Sequence, residues 1–485
     1  MFIKNYNKSF YMLSKYLKEK NVFIVLALVC LIILSTPLIL RKVNGNDTFP
    51  GSFSYYHARM AREIVESDNI LKHDNELSED YRFNPYHPFL GFFAGFMGVE
   101  SASKIIPIIL GMLSFLVFYL ILKNLKINLL NRLMILGILV LSPVYVYTFS
   151  ISSPFSLVVL LDLLGVYFFF KRKIMFFCLS IMFLLIAVFF EPINTLVVLL
   201  LLFSYSLYDK NKVKSFKIAL ILLLPVYVSY YVFFYFNYGL PIDIGAVGMN
   251  FFETNITDLG GLIGFSVFTL FSALVGILIS WKDKSKLAFV YIAIFMLFGL
   301  SFLTSTANYY LNFFLAVFAG LFFYRLSVMD WENNLIRNLT ILLLLYGFLF
   351  SVVSYVPRVS SLMPNDEIAE GLSWLGDVSE DDYVVFSYPE SGFWIEYFSR
   401  RKVILDSLTK YGNEVNDTQR ILNSRSLRET KTLLDKYDVS YVYIDNNLKQ
   451  MIGENNGLLF LLRNNETFKM RYNNPYVSIW KYHKN

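Results

Sequence analysis

The feature that most constrains this chain is a succession of eleven apolar runs, near 22–40, 104–123, 129–149, 154–170, 174–190, 193–208, 215–238, 261–280, 286–304, 307–326 and 336–356. Coiled as a helix, an apolar run of about 17 to 24 residues matches the hydrocarbon thickness of a bilayer. Inside lipid, the backbone must satisfy its own hydrogen bonds, which restricts such runs to helices or a closed barrel. Among the 485 residues, 56% are hydrophobic and 16% charged, whereas ordinary soluble domains carry roughly a quarter charged residues. The pattern predicts an α-helical polytopic membrane protein with about eleven transmembrane helices. The first run follows a basic segment and has no small-residue cleavage site after it, so it reads as a retained span rather than a leader.

Orientation follows from the loop charges. With the first segment cytoplasmic, that side receives Lys123, Lys126, Arg132, the Lys171-Arg172-Lys173 cluster, Lys210, Lys212, Lys214, Lys217, Lys282, Lys284, Arg325 and Arg337, while the short loops opposite contain no Lys or Arg. The formal charge of +6 is thus a topological signal and does not point to nucleic acid. An odd number of spans places the charged tail from Pro357 outside. There, strand-like stretches at 383–387, 402–405 and 440–444 and helix-like stretches at 365–375, 391–398 and 427–437 predict a small extracytoplasmic α/β domain. The expected division is a membrane domain over 1–356, including an external loop at 41–103, and a tail domain over 357–485. Cys30 and Cys178 lie in apolar runs, where cysteine behaves as a small hydrophobe.

The external loop is too long to be a mere connector. Within it, Phe53, Tyr56, Met60 and Ile64 fall on one helical side and Arg59, Arg62, Glu63 and Glu66 on the other, which predicts an amphipathic helix lying on the membrane surface. Phe89–Met97 is apolar but too short to cross, and Pro85 and Pro88 precede it. The external acids Asp47, Glu253 and Asp258 are candidates for a general base on an acceptor or for holding a divalent cation against a phosphate. Glu191, between two apolar runs, and Asp162, eight residues into the fourth run, are further candidates, because an acid at membrane depth is expensive. Asp162 must be paired from another helix, line a wet cavity or be protonated. His57, His73 and His87 share the first loop without the spacing of a zinc site. No phosphate-binding P-loop, dinucleotide fingerprint, nucleophile elbow or HExxH is present, which sets aside a nucleotide-driven pump and soluble-type hydrolases.

The run Tyr55-Tyr56-His57-Ala58-Arg59-Met60-Ala61-Arg62-Glu63-Ile64 followed by Asn84-Pro85-Tyr86-His87-Pro88 resembles the first external loop of the oligosaccharyltransferase catalytic subunit and related archaeal membrane glycosyltransferases of the GT-C superfamily. Leu141-Ser142-Pro143, Ile256-Thr257-Asp258-Leu259-Gly260 and Ser387-Tyr388-Pro389-Glu390-Ser391-Gly392 occupy corresponding places, as does Arg401-Lys402-Val403-Ile404-Leu405-Asp406. The resemblance implies transfer of a sugar or glycan from a polyprenyl-phosphate-type lipid carrier to a glycan, lipid or protein acceptor at the outer membrane face. It also implies a divalent cation, Mg or Mn, on loop acids.

Carried over position by position, the fifth-loop acid is matched by Asp258, with Glu253 nearby. The first-loop acid is not matched, since Phe53 stands two residues before Tyr55 and Asp47 lies six positions earlier. Nor is the pair at the start of the fourth span, where Pro154–Ser156 holds no acid. The acceptor motif, usually two tryptophans, Asp, Tyr and Gly, is matched only by Glu390 and Gly392, with Tyr388 and Pro389 in place of the tryptophans. The working expectation has Asp47, Asp258 or Glu253 act on the acceptor and Arg59 and Arg62 hold the donor phosphate. Tyr55, Tyr56, His57 and His87 position the lipid head, and Tyr388 and Glu390 meet the acceptor. The missing acids keep a second reading open, a non-catalytic relative serving as a binding or assembly partner. A third, a transporter, rests only on Glu191-Pro192 and Asp162.

Overall fold

The computed structural model describes residues 19–67, 84–190, 192–238, 251–408, 412–453 and 455–484. The chain divides into two compact units. One comprises the first residues to Leu40, Asn84–Tyr86 and Lys104–Ser360, and the other Arg41–Phe83, His87–Ser103 and Ser361–Asn485.

In chain order the helices up to the tail are α1 (Glu19–Val43), α2 (Ser52–Ser67), α3 (Tyr86–Met97), α4 (Val99–Asn124), α5 (Leu129–Val140), α6 (Pro143–Ser150), α7 (Pro154–Phe169), α8 (Ile174–Val188), α9 (Pro192–Tyr208), α10 (Val213–Tyr238), α11 (Phe251–Asn255), α12 (Val267–Ser280), α13 (Lys284–Ser301), α14 (Thr306–Val328) and α15 (Asn334–Ser360). Among the described residues, five helices are long and apolar enough to cross a membrane, or six if the bent pair α5 and α6 is one span. Shorter apolar helices lie on the remaining expected runs. The single helix expected over 129–149 is therefore corrected to two, meeting at 64°. Pro143 lacks an N–H and forces the preceding residue out of the helical region, and Ser142 is extended at φ −83°, ψ 129°. The run expected from 261 becomes helical only at Val267, where Ser266 caps the helix, its hydroxyl oxygen accepting from Phe268 N–H.

Within the first unit, α14 is buried along nearly its whole length, as a helix apolar all round should be. It packs against α12, α5 and α13. A Cβ on Gly276 of α12 would stand 2.1 Å from the Phe318 carbonyl oxygen, so only glycine permits this approach. The first half of α14 carries polar residues that reach neighbouring segments. Asn308 Nδ2 donates to Asn255 Oδ1 at 2.6 Å and to the Ile263 carbonyl at 2.7 Å, the Tyr310 hydroxyl donates to Asp162 at 2.5 Å, and the Ser142 hydroxyl donates to Asn312 at 2.5 Å.

The second unit is built on a five-stranded sheet of order β2-β1-β3-β5-β4. Its elements after α15 are α16 (Asp366–Val378), β1 (Val384–Phe386), α17 (Pro389–Phe398), β2 (Lys402–Val403), α18 (Asn413–Asn423), α19 (Leu427–Lys436), β3 (Val439–Asp445), α20 (Asn446–Ile452), α21 (Gly457–Leu461), β4 (Phe468–Asn473) and β5 (Val477–Tyr482). β1 pairs in parallel with β2 and β3, and β5 pairs antiparallel with β3 and β4. Alternation along β3 sends Tyr441 and Tyr443 into one core and Val442 and Ile444 into another. The second core gathers α18 to α21. The first gathers α16 and α17 together with Phe49, Tyr55, Tyr56, Ala58 and Met60 from the loop before and within α2.

That core overturns the expectation that α2 lies on a membrane surface. Ser54 to Ala61 are buried without interruption, on every side of the helix. The helix runs alongside α17 in the same sense. Phe53 and Tyr56 meet Phe393 at ring separations of 5.2 and 5.4 Å, Arg59 meets Glu396, Arg62 meets Tyr397, and Glu66 meets Arg400. An amphipathic pattern states only that one face leaves water. Here what receives it is an α/β domain contributed by the other end of the chain.

Candidate functional site

The carboxyl ends of the parallel strands concentrate functional groups in the second unit. The chain leaves β1 for β2 on one side and returns to β3 on the other, so a topological switch falls between β1 and β3. In open α/β sheets, ligands bind outside the carboxyl ends of strands at such a point. Tyr388 and Glu390 follow β1, Asp406 follows β2, and Asp445 ends β3. The three loops are tied together. Ser391 donates its hydroxyl to Asp445 Oδ2 at 2.9 Å and Ser407 donates to the Pro389 carbonyl at 3.2 Å. A Cβ on Gly392, in the first turn of α17, would stand 3.0 Å from the Asp406 Cα, so the loop after β2 packs closely on that turn. Asp445 also caps α20, its Oδ1 accepting from Leu448 N–H at 2.8 Å. The start of α2 reaches the same turn, with the Ser52 hydroxyl donating to the Glu390 carbonyl at 2.8 Å.

Asp406 and Asp445 are buried, Tyr388 is half-buried and Glu390 is exposed. Partial burial and the neighbouring Asp445 charge raise the Glu390 carboxyl above its ordinary range. Burial and the Glu390 charge raise the Tyr388 phenol. Sequence reasoning found Tyr388 and Glu390 but missed Asp406 and Asp445. Their signal was available, since each stands at the carboxyl end of an expected strand.

The first-loop residues are placed in the interior of this unit. Tyr55 stacks on Phe49 at 4.0 Å and donates its hydroxyl to the Phe49 carbonyl at 2.9 Å. His57 Nδ1 and His87 Nε2 are 2.9 Å apart and both rings are buried. One ring donates and the other accepts, so the accepting nitrogen carries no proton. Burial lowers His57 to about 3, and burial, His57 and Arg59 together hold His87 well below the ordinary histidine value. Tyr56 lies edge-on to both. Arg59 faces Glu396 at 3.4 Å and Glu63 at 3.5 Å. Arg62 donates to the Tyr397 carbonyl at 2.9 Å with its guanidinium 3.9 Å above the Tyr397 ring. Both arginines fix α2 on α17, and contact with a donor phosphate would require them to exchange these partners.

Asp47 is exposed, and its backbone N–H donates to the Asp366 carboxylate at 2.8 Å, as does that of Thr48 at 3.0 Å. Asp366 opens α16, so the first loop is clamped to the start of that helix.

In the first unit, Asp258 and Glu253 are exposed on the short segment before α12. Asp258 Oδ2 accepts from Val267 N–H at 2.7 Å, capping α12. Asp162, expected to be paired from another helix, hydrated or protonated, is paired by Tyr310 of α14. Glu191 and His73 lie outside the described residues. For the implied divalent cation, no group of three or more His, Cys, Asp or Glu side chains is arranged to hold a metal among the described residues. Among the described residues, Asp258 engages one carboxylate oxygen as a cap and no set of donors for a cation is assembled around it.

A many-helix unit and a carboxyl-terminal α/β unit with the first loop built into its core make up the fold. Solved structures of two kinds share it. The oligosaccharyltransferase of Archaeoglobus fulgidus matches in its apo form with a TM-score of 0.67 at 14% identity, over 90% of this chain and 70% of that one. Its complex with an inhibitory peptide and a dolichol-phosphate matches with a TM-score of 0.66 at 14% identity, over 91% and 70%. ArnT from Cupriavidus metallidurans bound to undecaprenyl phosphate matches with a TM-score of 0.58 at 10% identity, over 95% of this chain and 97% of that one. No protein-family model and no curated protein sequence matches the chain.

Proposed function

We propose that this protein is an integral-membrane glycosyltransferase that takes a sugar or glycan from a polyprenyl-phosphate-type carrier and passes it to an acceptor at the outer membrane face. The observation that carries the reading is the fold shared, over at least nine-tenths of this chain, with both an oligosaccharyltransferase holding dolichol-phosphate and ArnT holding undecaprenyl phosphate. In this reading the eleven apolar runs all cross the bilayer, the first segment is cytoplasmic and the tail domain is extracytoplasmic, as the loop charges imply. Asp258, Glu253 and Asp47 are the acids proposed to act on the acceptor proton, each being exposed and acidic on an outer loop. Tyr388 and Glu390 meet the acceptor.

A second reading, a non-catalytic relative that binds lipid-linked glycan for another enzyme, is favoured by the engagement of Asp258 as a helix cap and of Arg59 and Arg62 within their own unit. The purified protein in nanodiscs, given polyprenyl phosphates carrying a radiolabelled sugar, decides between them. Label leaving the lipid for a water-soluble or lipid acceptor supports transfer. Binding of polyprenyl phosphate with no turnover of any lipid-linked sugar supports the second reading.

A further inference from the structure

We infer that the first unit binds the headgroup of an anionic phospholipid where the connections from α4 to α5, from α7 to α8 and from α9 to α10 meet. Those segments, 123–132, 171–173 and 209–217, hold ten Lys and Arg side chains against one acid, Asp209. A basic bias toward one side of the membrane is what sets orientation, but it does not account for this clustering. In the orientation proposed above, the connection from Arg325 to Arg337 lies on the same side, yet it balances its two arginines with Asp330 and Glu332. Asp209 caps the turn Lys210–Lys212, its carboxylate accepting from Asn211 N–H at 3.1 Å.

The fold gathers these cations into one patch. Lys212 is buried, and its ammonium donates to the Phe169 and Lys171 carbonyls, both at 2.5 Å, which seats the segment before α10 on the end of α7. Lys171 donates in turn to Asn124 Oδ1 at 3.0 Å, tying in the end of α4. Around this scaffold Arg172, Lys173, Lys210, Lys214 and Lys217 are exposed. Lys214 and Lys217 are three apart on α10 and so share a face, and α8, which follows Lys173, packs on α10. Phe169, Ile181, Ala219 and Leu223 join in one core behind them. Several ammonium and guanidinium groups held at one place suit a phosphate, which accepts charge-assisted hydrogen bonds from them.

What selects a lipid over a soluble anion is the next turn of each helix. Ile174 and Met175 follow Lys173 directly and are 75% and 60% exposed, and Ile218 and Ile221 follow Lys217 at 39% and 70%. Cations that give way within one turn to exposed apolar side chains mark the boundary between headgroups and acyl chains. A molecule with a phosphate at one end and hydrocarbon at the other covers both, whereas a nucleotide or a nucleic acid leaves the apolar half exposed. A zwitterionic headgroup brings its own cation beside the phosphate and gains less from the patch.

This site is independent of the transferase reading and is tested without turnover. Full-length protein in detergent, stripped of lipid, is titrated with phosphatidylglycerol, with phosphatidylcholine of the same acyl chains and with inorganic phosphate, and bound molecules are counted by native mass spectrometry. Phosphatidylglycerol should be retained in preference to phosphatidylcholine, and less so as salt rises. Lys173→Gln, Lys214→Gln and Lys217→Gln combined should weaken its binding roughly ten- to a hundredfold, and Arg172→Gln alone should weaken it in the same direction. Lys282→Gln, Arg325→Gln and Arg337→Gln combined remove the same charge from other connections on that side and should change it little. Equal retention of the two lipids, equal loss in the two triple variants, or inorganic phosphate bound as tightly as the lipid would overturn the inference.

Discussion

A guanidinium nitrogen of Arg59 lies 3.4 Å from a carboxylate oxygen of Glu396, and the two side chains are 5% and 0% exposed. One belongs to the first loop and the other to the tail, so this buried ion pair joins chain segments that the whole membrane region separates. Two charges withdrawn from water together are tolerated, but leaving one of them alone is not. Arg59→Met by itself should lower the stability of the second unit by about 3 to 5 kcal/mol. Arg59→Met combined with Glu396→Leu should recover much of that loss. Thermal unfolding of the three proteins in detergent checks the order, and equal destabilisation by the single and double variants would contradict it.

The burial of His57 and His87 makes stability depend on pH. His57 takes up its proton near pH 3 when folded and near 6.5 when unfolded, and His87 is displaced in the same direction. Between those values the unfolded chain binds more protons than the folded one, so stability rises with pH. The contribution is fully present above about pH 6.5 and is lost progressively as pH falls toward 3. The unfolding temperature should therefore drop from pH 7.5 to pH 5, and the drop should shrink in a His57→Gln, His87→Gln double variant measured over the same range.

Asp258 caps α12 and is proposed as a base, and substitution separates the two. As a cap on α12 it contributes about 1 kcal/mol, much of which Asn can replace because Asn also accepts from a backbone N–H. As a proposed base it cannot be replaced by Asn, which has no basic carboxylate. Asp258→Asn should thus leave the unfolding temperature nearly unchanged and lower transfer from a lipid-linked donor roughly a hundredfold or more. Full activity in both Asp258→Asn and Asp47→Asn would remove these acids from the mechanism.

Asp366 accepts the backbone N–H groups of Asp47 and Thr48. Asp366→Ala leaves both donors without this partner and should cost roughly 1 to 3 kcal/mol locally. Hydrogen–deuterium exchange should show faster exchange at residues 46–50, while exchange in β3 and β5 stays as it was. Unaltered exchange at Asp47 and Thr48 would show that the clamp is not what orders the loop.

Much of this architecture is legible along the chain. The apolar runs, the change of composition after Pro357 and the alternation at 440–444 are local patterns, and each fell on a helix or strand of the expected kind. The closing pair β4 and β5 was not expected, because Phe468–Asn473 is mostly exposed and only its partner strand tells it from a polar loop. The candidate site was half legible. Tyr388 and Glu390 stood in a recognisable motif, while Asp406 and Asp445, each at the carboxyl end of an expected strand, meet them only when β1, β2 and β3 are laid side by side.

The sequence by itself determined which stretches leave water and with what period, because hydrophobic length and alternation are properties of neighbouring residues. It did not determine where the apolar and charged faces of α2 would go, since the same pattern suits a lipid surface or a protein core. Tertiary structure decided that, by bringing Phe393, Glu396 and Tyr397 from more than 300 residues away to cover Tyr56, Arg59 and Arg62. Burial is a relation between partners, and one of the partners lay at the other end of the chain.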